Sequence, residues 1–363
     1  MRNNANPNQI SLFDPIQNRG GIERERESTL WLYHSYHNII SVKNLLSAWR
    51  EFLRDKRKRK DVEHFSLHLT DNILALHREL TDDTYRHGPY TAFKINDPKP
   101  RDIHKATVRD RILHHAIYRI MYSYFNRKFI FDSYSCRLAK GTHRAINRFR
   151  RYYRQVSQNH TKTVWVLKCD IRKFFASIDH QTLNDILKKR VKDKKIVKLL
   201  GKIIESFHTE NKPGIGVPLG NLTSQLLVNV YLNEFDHFAK RTLKISYYVR
   251  YADDFVILHK DKEYLENILP KIAEFLETRL KLSLHPNKVS IKTFASGIDF
   301  LGWVNFPHHR IPRTSTKQRM FRNLKQNHKQ ESLTSYQGLL KHGDTHELQQ
   351  KIFEMYPDTE RNI

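Results

Sequence analysis

The chain predicts an α+β fold, and three observations carry that prediction. Apolar residues recur at helical spacing over five long stretches. Two runs rich in β-branched and aromatic residues, Thr163–Ile171 and Tyr248–Leu258, read instead as strands. The chain has 363 residues and is 39% hydrophobic, enough for a sizeable core, and its length suggests two or three subdomains rather than one.

In order along the chain, residues 1–28 are polar with scattered Gly and Pro and read as loose. From Ser28 to Leu80 the spacing of Leu30, Tyr33, Ile39, Leu45, Leu46, Trp49, Phe52 and Leu53 predicts two or three helices. The basic run Arg54–Lys60, broken by Asp55, reads as a solvated helix face in preference to a specific RNA contact. Thr91–His104 is extended, and Val108–Phe131 is a long helix with Ile112, Ala116, Ile117, Ile120 and Tyr124 on one side. His180–Phe207 is a helix with one strongly basic face, and Asn221–Arg241 is a more apolar helix. Tyr264–Leu280 is an amphipathic helix that Pro270 is expected to kink. Phe300–Trp303 closes a last small β unit, and Thr314–Ile363 is helical and basic.

Composition narrows the function. A net charge of +26, from 64 basic and 38 acidic residues, points to a polyanion, most simply nucleic acid. No apolar run approaches the ~20 residues of a membrane-spanning helix, and the start of the chain lacks the apolar core of a signal peptide. Cys136 and Cys169 alone give neither a four-Cys zinc site nor a disulfide framework, so the expected location is a reducing cytoplasm.

The chemistry is concentrated in Tyr248-Val249-Arg250-Tyr251-Ala252-Asp253-Asp254-Phe255-Val256-Ile257-Leu258, which reads as a β-hairpin with two carboxylates at its turn. Paired aspartates in an otherwise apolar hairpin are costly as bare charges, and a divalent metal neutralises them. An exposed Asp-Asp turn is the plainer alternative. The run Thr163–Ile171 contributes a third acid, Asp170, at its end. Two such strands lying side by side would gather the three carboxylates that a two-metal phosphoryl-transfer site needs, with metals about 4 Å apart.

Asp170 with Phe174-Phe175, then Pro218–Gln225, Tyr251–Asp254, Lys288 and Phe300–Trp303, form an ordered motif set that resembles reverse transcriptases, in particular the bacterial group that includes group II intron enzymes. The resemblance runs from about Thr91 to Trp303. It implies a right-hand polymerase, with an N-terminal helical extension over 1–90, fingers over 91–165, a palm of antiparallel sheet backed by helices over 166–305, and a small helical thumb over 306–363. It further implies that Asp170, Asp253 and Asp254 are the catalytic carboxylates and that the Ile171 carbonyl is a backbone metal ligand. The metals would be two Mg²⁺, with Mn²⁺ as the alternative. Phe175 matches the steric gate against a ribose 2′-OH, whereas Phe174 is the core aromatic. Lys94 and Arg101 match residues that hold the triphosphate. Lys288 matches the acid that protonates departing pyrophosphate. Phe300, Leu301, Gly302 and Trp303 match the primer grip. Ser133–Arg137 and Lys140–His143 match a template-contacting motif, with Cys136 where intron enzymes tend to have Phe.

Where many reverse transcriptases carry Gln-Gly-x-x-x-Ser-Pro beside the nascent base pair, this chain has Leu219, Gly220 and, in the place of the proline, Gln225. That pair resembles diversity-generating retroelement enzymes, which copy a template RNA and misincorporate mainly opposite adenine. The partners implied are template RNA, a primer, dNTPs, the RNA–cDNA hybrid and a small basic accessory protein. An antiphage-defence reverse transcriptase is the second expectation. A catalytically inactive basic RNA-binding protein is the third, which the three intact aspartates oppose. The ~60 residues after Trp303 suit a small thumb, and a full intron-encoded protein is not expected.

Overall fold

The computed structural model describes residues 35–96, 100–326 and 330–356, so the expectation for residues 1–28 lies outside them. Four helices open the described chain: α1 (Tyr36–Ile40), α2 (Val42–Phe52), α3 (Lys60–Leu67) and α4 (Leu69–Thr81). That is more than the periodicity suggests, because a capping residue interrupts it. Ser41 leaves the helical backbone between α1 and α2, and its hydroxyl accepts from the Asn44 N–H at the start of α2. The basic run forms a turn from Arg54 to Arg59 and not a helix face, and Lys60 opens α3. Asp55 takes φ +57°, and Lys56 folds back to donate to the Phe52 carbonyl at 3.2 Å.

The extended segment is an antiparallel ribbon of β1 (Thr91–Ile95) and β2 (Arg101–Lys105). Next come α5 (Val108–Lys128), which Thr107 caps, and α6 (Thr142–Val156). The basic helical stretch after 180 divides into α7 (His180–Arg190) and α8 (Lys194–Glu205). Asp193 halts it by accepting from the Lys195 and Ile196 N–H groups as the cap of α8. Helix α9 (Leu222–His237) runs on into a π turn over Phe238–Thr242, and α10 (Lys262–Leu280) continues through Pro270.

The central sheet is antiparallel, with strand order β4 (Tyr248–Tyr251), β5 (Asp254–His259), β3 (Trp165–Asp170) and β6 (Ser290–Thr293). The strand alternation sends successive side chains to opposite cores. Leu167, Cys169, Tyr248, Phe255 and Ile257 join the main core with α1–α5 and α7–α10. Val166, Val249, Val256 and Leu258 pack instead with Ala145, Phe149, Tyr152 and Tyr153 of α6. Both faces are therefore covered, which is why β3 and β5 read as continuous apolar runs.

A three-stranded meander follows: β7 (Ile298–Phe300), β8 (Trp303–Asn305) and β9 (Arg310–Pro312). Helices α11 (Thr314–Gln326), α12 (Gln330–Leu340) and α13 (His346–Met355) share a small core of their own around Met320, Leu324, Leu333, Tyr336, Leu340 and Ile352. No helix among the described residues is long and apolar enough to cross a membrane.

Candidate active site

The register of the central sheet places Asp170 directly opposite Asp254. Directly opposed residues project from the same face, so these two carboxylates share one side of the sheet end. Asp253 sits in the two-residue turn between β4 and β5, and its carbonyl accepts the Ile171 N–H at 3.1 Å. Asp170, far away in sequence, thus meets Asp253 and Asp254 at one end of the sheet. His285 N–H donates to the Asp170 carbonyl at 2.8 Å, fixing the loop that carries Lys288 against the same strand end. Lys288 Nζ donates to Asp170 Oδ1 at 2.9 Å.

Both turn carboxylates resist ionisation. Burial, then the neighbouring Asp170, push Asp253 up to about 6. Burial pushes Asp254 up to about 7, with the negative charges of Asp253, Asp170 and Asp299 adding to it and Lys168 opposing. Asp254 Oδ1 is buried without a hydrogen-bond partner. An orphaned carboxylate oxygen among three acids has the chemistry that a hard divalent cation satisfies. Among the described residues no group of three or more His, Cys, Asp or Glu side chains is arranged to hold a metal ion.

The turn is built on a buried arginine that the motif reading passes over. Arg250 and Asp236 are both wholly buried and pair bidentately, Nε to Oδ1 at 2.7 Å and Nη2 to Oδ2 at 2.6 Å. The same guanidinium donates to Ser133 Oγ at 2.9 Å and to the Ala252 carbonyl at 3.0 Å, one residue before Asp253. Tyr248 OH adds a bond to Asp236 at 2.8 Å. Ala252 takes φ +54°, a left-handed value that an alanine adopts only where its surroundings impose it. The sequence signal was a charged residue inside an apolar strand, which burial permits only with full pairing.

The remaining expected residues divide. Phe174 is core, while Phe175 beside it is only partly buried, on a short 3₁₀ turn over Phe174–Ser177. Arg101 lies opposite Ile95 and Lys94 opposite Asp102, so the two cations leave the ribbon on opposite faces. Arg101 is near enough to Asp253 to favour its charged form; Lys94 is exposed on the other side. Leu219 and Gly220 form the turn before α9, clamped to β2. His104 N–H donates to the Leu219 carbonyl at 3.0 Å, and Asn221 Nδ2 donates to the His104 carbonyl at 2.9 Å. Gly220 has φ +112°, and a Cβ there would sit 2.8 Å from Ile103 Cγ2. Gln225 lies one turn into α9, partly buried.

The four residues matched to the primer grip play two parts. Phe300 and Trp303 are buried, Phe300 against Phe149 and Trp303 beneath Arg310. Only Leu301 and Gly302 form the turn, with φ +52° and +86°, the double positive pattern of a two-residue hairpin loop. The segment Ser133–Arg137 is buried throughout, a strut under the β4–β5 hairpin rather than an exposed template contact. Arg250 N–H donates to the Asp132 carbonyl, and Tyr134 N–H to the Arg250 carbonyl, each at 2.9 Å. Cys136 fits there as a small buried residue with φ +53°.

Comparison with known proteins assigns the class. The reverse transcriptase (RNA-dependent DNA polymerase) family profile matches residues 94–304, more than half of the chain, from the β1–β2 ribbon to β8. The chain belongs to that family; it is an RNA-directed DNA polymerase with the mixed helix-and-sheet fold of a right-hand polymerase.

Its relatives lie toward the group II intron branch. Protein YkfC of Escherichia coli K12 is 27% identical over 69% of this chain and 73% of its own length. The group II intron-encoded protein LtrA of Lactococcus lactis is 25% identical over 79% of this chain, which spans only 56% of that relative. A putative COX1/OXI3 intron 2 protein of Saccharomyces cerevisiae is 23% identical over 63% of this chain and 33% of its own length. Telomerase from Candida albicans, solved with a fragment of telomeric RNA, superposes with TM-score 0.49 at 11% identity, over 65% of this chain and 48% of that one.

Proposed function

We propose that the protein copies a template RNA into cDNA by two-metal nucleotidyl transfer, and that it does so inaccurately opposite adenine, as in diversity-generating retroelements. The observation that carries the second half is Leu219, partly exposed beside Gly220 at the turn where Arg101's ribbon meets α9. An aliphatic side chain offers the incoming nucleotide packing but no hydrogen bond. Sites that read polar groups discriminate far better than sites that only pack.

Asp170, Asp253, Asp254 and the Ile171 carbonyl would hold the cations. Mg²⁺, or Mn²⁺ in its place, would supply Lewis-acid clamping of the attacking 3′-oxygen and of the α-phosphate. In this reading the chain's own residues do the rest. Arg101 grips the triphosphate, bidentate contact being the strength of a guanidinium. Lys288, released from Asp170 as substrate enters, gives its proton to departing pyrophosphate. Phe175 lies under the sugar and excludes a 2′-OH, and the Leu301–Gly302 turn steadies the primer end. RNA is held mainly through phosphate and 2′-OH contacts, with little base readout. The domain limits given above, and assembly with a small basic accessory protein, belong to this proposal.

The test is primer extension on RNA templates that differ only at one A, G, C or U. Asp253→Asn should abolish extension. Wild type should misincorporate most opposite A, and Leu219→Gln should lower that error. Equal fidelity opposite all four bases, with cellular cofactors present, would refute the retroelement reading and leave the polymerase reading standing.

A further inference from the structure

At the far end of β3 from the acids, α6 and the β6–β9 edge enclose a cleft of about 280 Å³. Trp165 pairs with Thr293 at that end and Asp170 with Asp254 at the other, so about 17 Å of strand separates the two places. We propose that this cleft is a second nucleic-acid site, taking one unstacked base and its phosphate from single-stranded RNA that extends beyond the catalytic channel. The proposal rests on the polymerase reading for its choice of ligand.

The cleft's walls are aromatic faces. The His160 ring stacks on His308, centroids 4.5 Å apart and 19° from parallel, and meets Tyr153 edge-on at 5.2 Å. Tyr153 in turn stacks on Phe294 at 3.9 Å. Tyr153 and Phe294 are buried behind the cleft, and the exposed His308 ring, backed by His160, is the face on which a base can lie, whatever its sequence. The space is about that of one nucleotide, at the small end of ligand pockets.

The charge is one-sided. Lys162 lines the cleft, Arg150 and Arg154 lie close enough to repel a proton from His160, and no Asp or Glu is among the residues that line it. A cleft lined by one lysine and an exposed imidazole face, with no carboxylate, suits a phosphate next to a base.

The backbone is set up to hold His160 there. Gln158, Asn159 and His160 take φ +50°, +57° and +73°, three consecutive left-handed residues without a glycine. Such strain persists only where the surroundings impose it, and it gathers at ligand-holding segments. Here Ser157 imposes it. Its hydroxyl accepts the His160 N–H at 2.9 Å, and its carbonyl accepts the Thr161 and Lys162 N–H groups, both at 2.9 Å. From the other wall, Arg150 Nη2 donates to the His308 carbonyl at 3.0 Å, tying the β8–β9 turn to α6.

The test compares binding of the full chain to two substrates: a minimal RNA–DNA hybrid, and the same hybrid carrying a single-stranded extension of either RNA or DNA. His308→Ala and Lys162→Ala should weaken binding of the RNA extension about tenfold or more and leave the minimal hybrid unchanged. Lys162→Ala should also reduce the salt slope by about one contact. His308→Phe, which keeps a stacking ring, should retain affinity, separating a lost platform from a misfolded turn. A 4-thiouridine in the extension should crosslink to His308. Loss on the RNA extension alone assigns the site to RNA, and equal loss on the DNA extension assigns it to single strands of either kind. Wild-type affinity of both alanine variants for the extended hybrids would overturn the proposal and leave the cleft to a protein partner. Binding is read without catalysis, so an inactive polymerase site would not mimic that failure.

Discussion

Replacing Arg250 by Met tests whether the catalytic turn depends on a buried ion pair. The side chain is wholly buried and spends its donors on Asp236, Ser133 and the Ala252 carbonyl. Arg250→Met would leave Asp236 buried with the Tyr248 hydroxyl as its remaining partner from that network. Removing one member of a buried pair costs roughly 3–5 kcal/mol, because the stranded charge cannot be rehydrated. The double variant Arg250→Met with Asp236→Leu removes both charges and should regain most of that stability, a coupling of about 3 kcal/mol in a double-mutant cycle. Activity should behave differently. Neither variant restores a donor to the Ala252 carbonyl, so Asp253 loses its support and a shift of about 1 Å would lower kcat on the order of 100-fold in both. Urea unfolding at fixed pH measures the first quantity, and primer extension well below the unfolding transition measures the second. Two additive destabilisations, or a double variant that recovers its rate along with its stability, would show that the network does not hold the turn.

Two further outcomes follow from the same site. With metal removed, Asp253 and Asp254, whose carboxyls are pushed up to about 6 and 7, bind protons more tightly folded than unfolded. The stability they allow is therefore complete below about pH 4 and falls as pH rises through 6 and 7. Asp254→Asn should flatten that decline, and millimolar Mg²⁺ should reverse it in wild type only; a metal-free protein equally stable at pH 5 and pH 8 would contradict this. Gly220→Ala places a methyl against Ile103 in a backbone conformation that disfavours it, so the β1–β2 ribbon must move away from α9. The KM for dNTP should rise several-fold while RNA affinity is kept; an unchanged KM would dissociate the ribbon from the nucleotide.

How much of this was legible beforehand depended on whether the residues signal locally. The Asp-Asp hairpin and the strand ending in Asp170 announce themselves by composition, whereas the pairing of Asp170 with Asp254 is set by the register of β3 against β5. What could not be read was set by side-chain hydrogen bonds. Ser41 and Asp193 cut helical patterns that look continuous, because one cap oxygen outweighs the modest propensity of a few residues. Register, too, is invisible in a motif. Lys94 and Arg101 look like a pair, yet an odd offset between their partners sends them to opposite faces, and only Arg101 reaches the acids' field.

The same distinction explains why the most informative missed residue was Arg250. A motif reading treats Tyr-Val-Arg-Tyr as an approach to the acids. Physical chemistry treats an arginine with no solvent access as a debt of several kcal/mol unless each polar atom is matched. Matching it required Asp236 from α9, Ser133 from the segment before α6 and the Ala252 carbonyl from the turn itself. The β4–β5 hairpin is therefore fastened to two other parts of the chain through one guanidinium. The acids stay poised, with Asp254 Oδ1 unpartnered, because the stabilising bonds lie one layer beneath them.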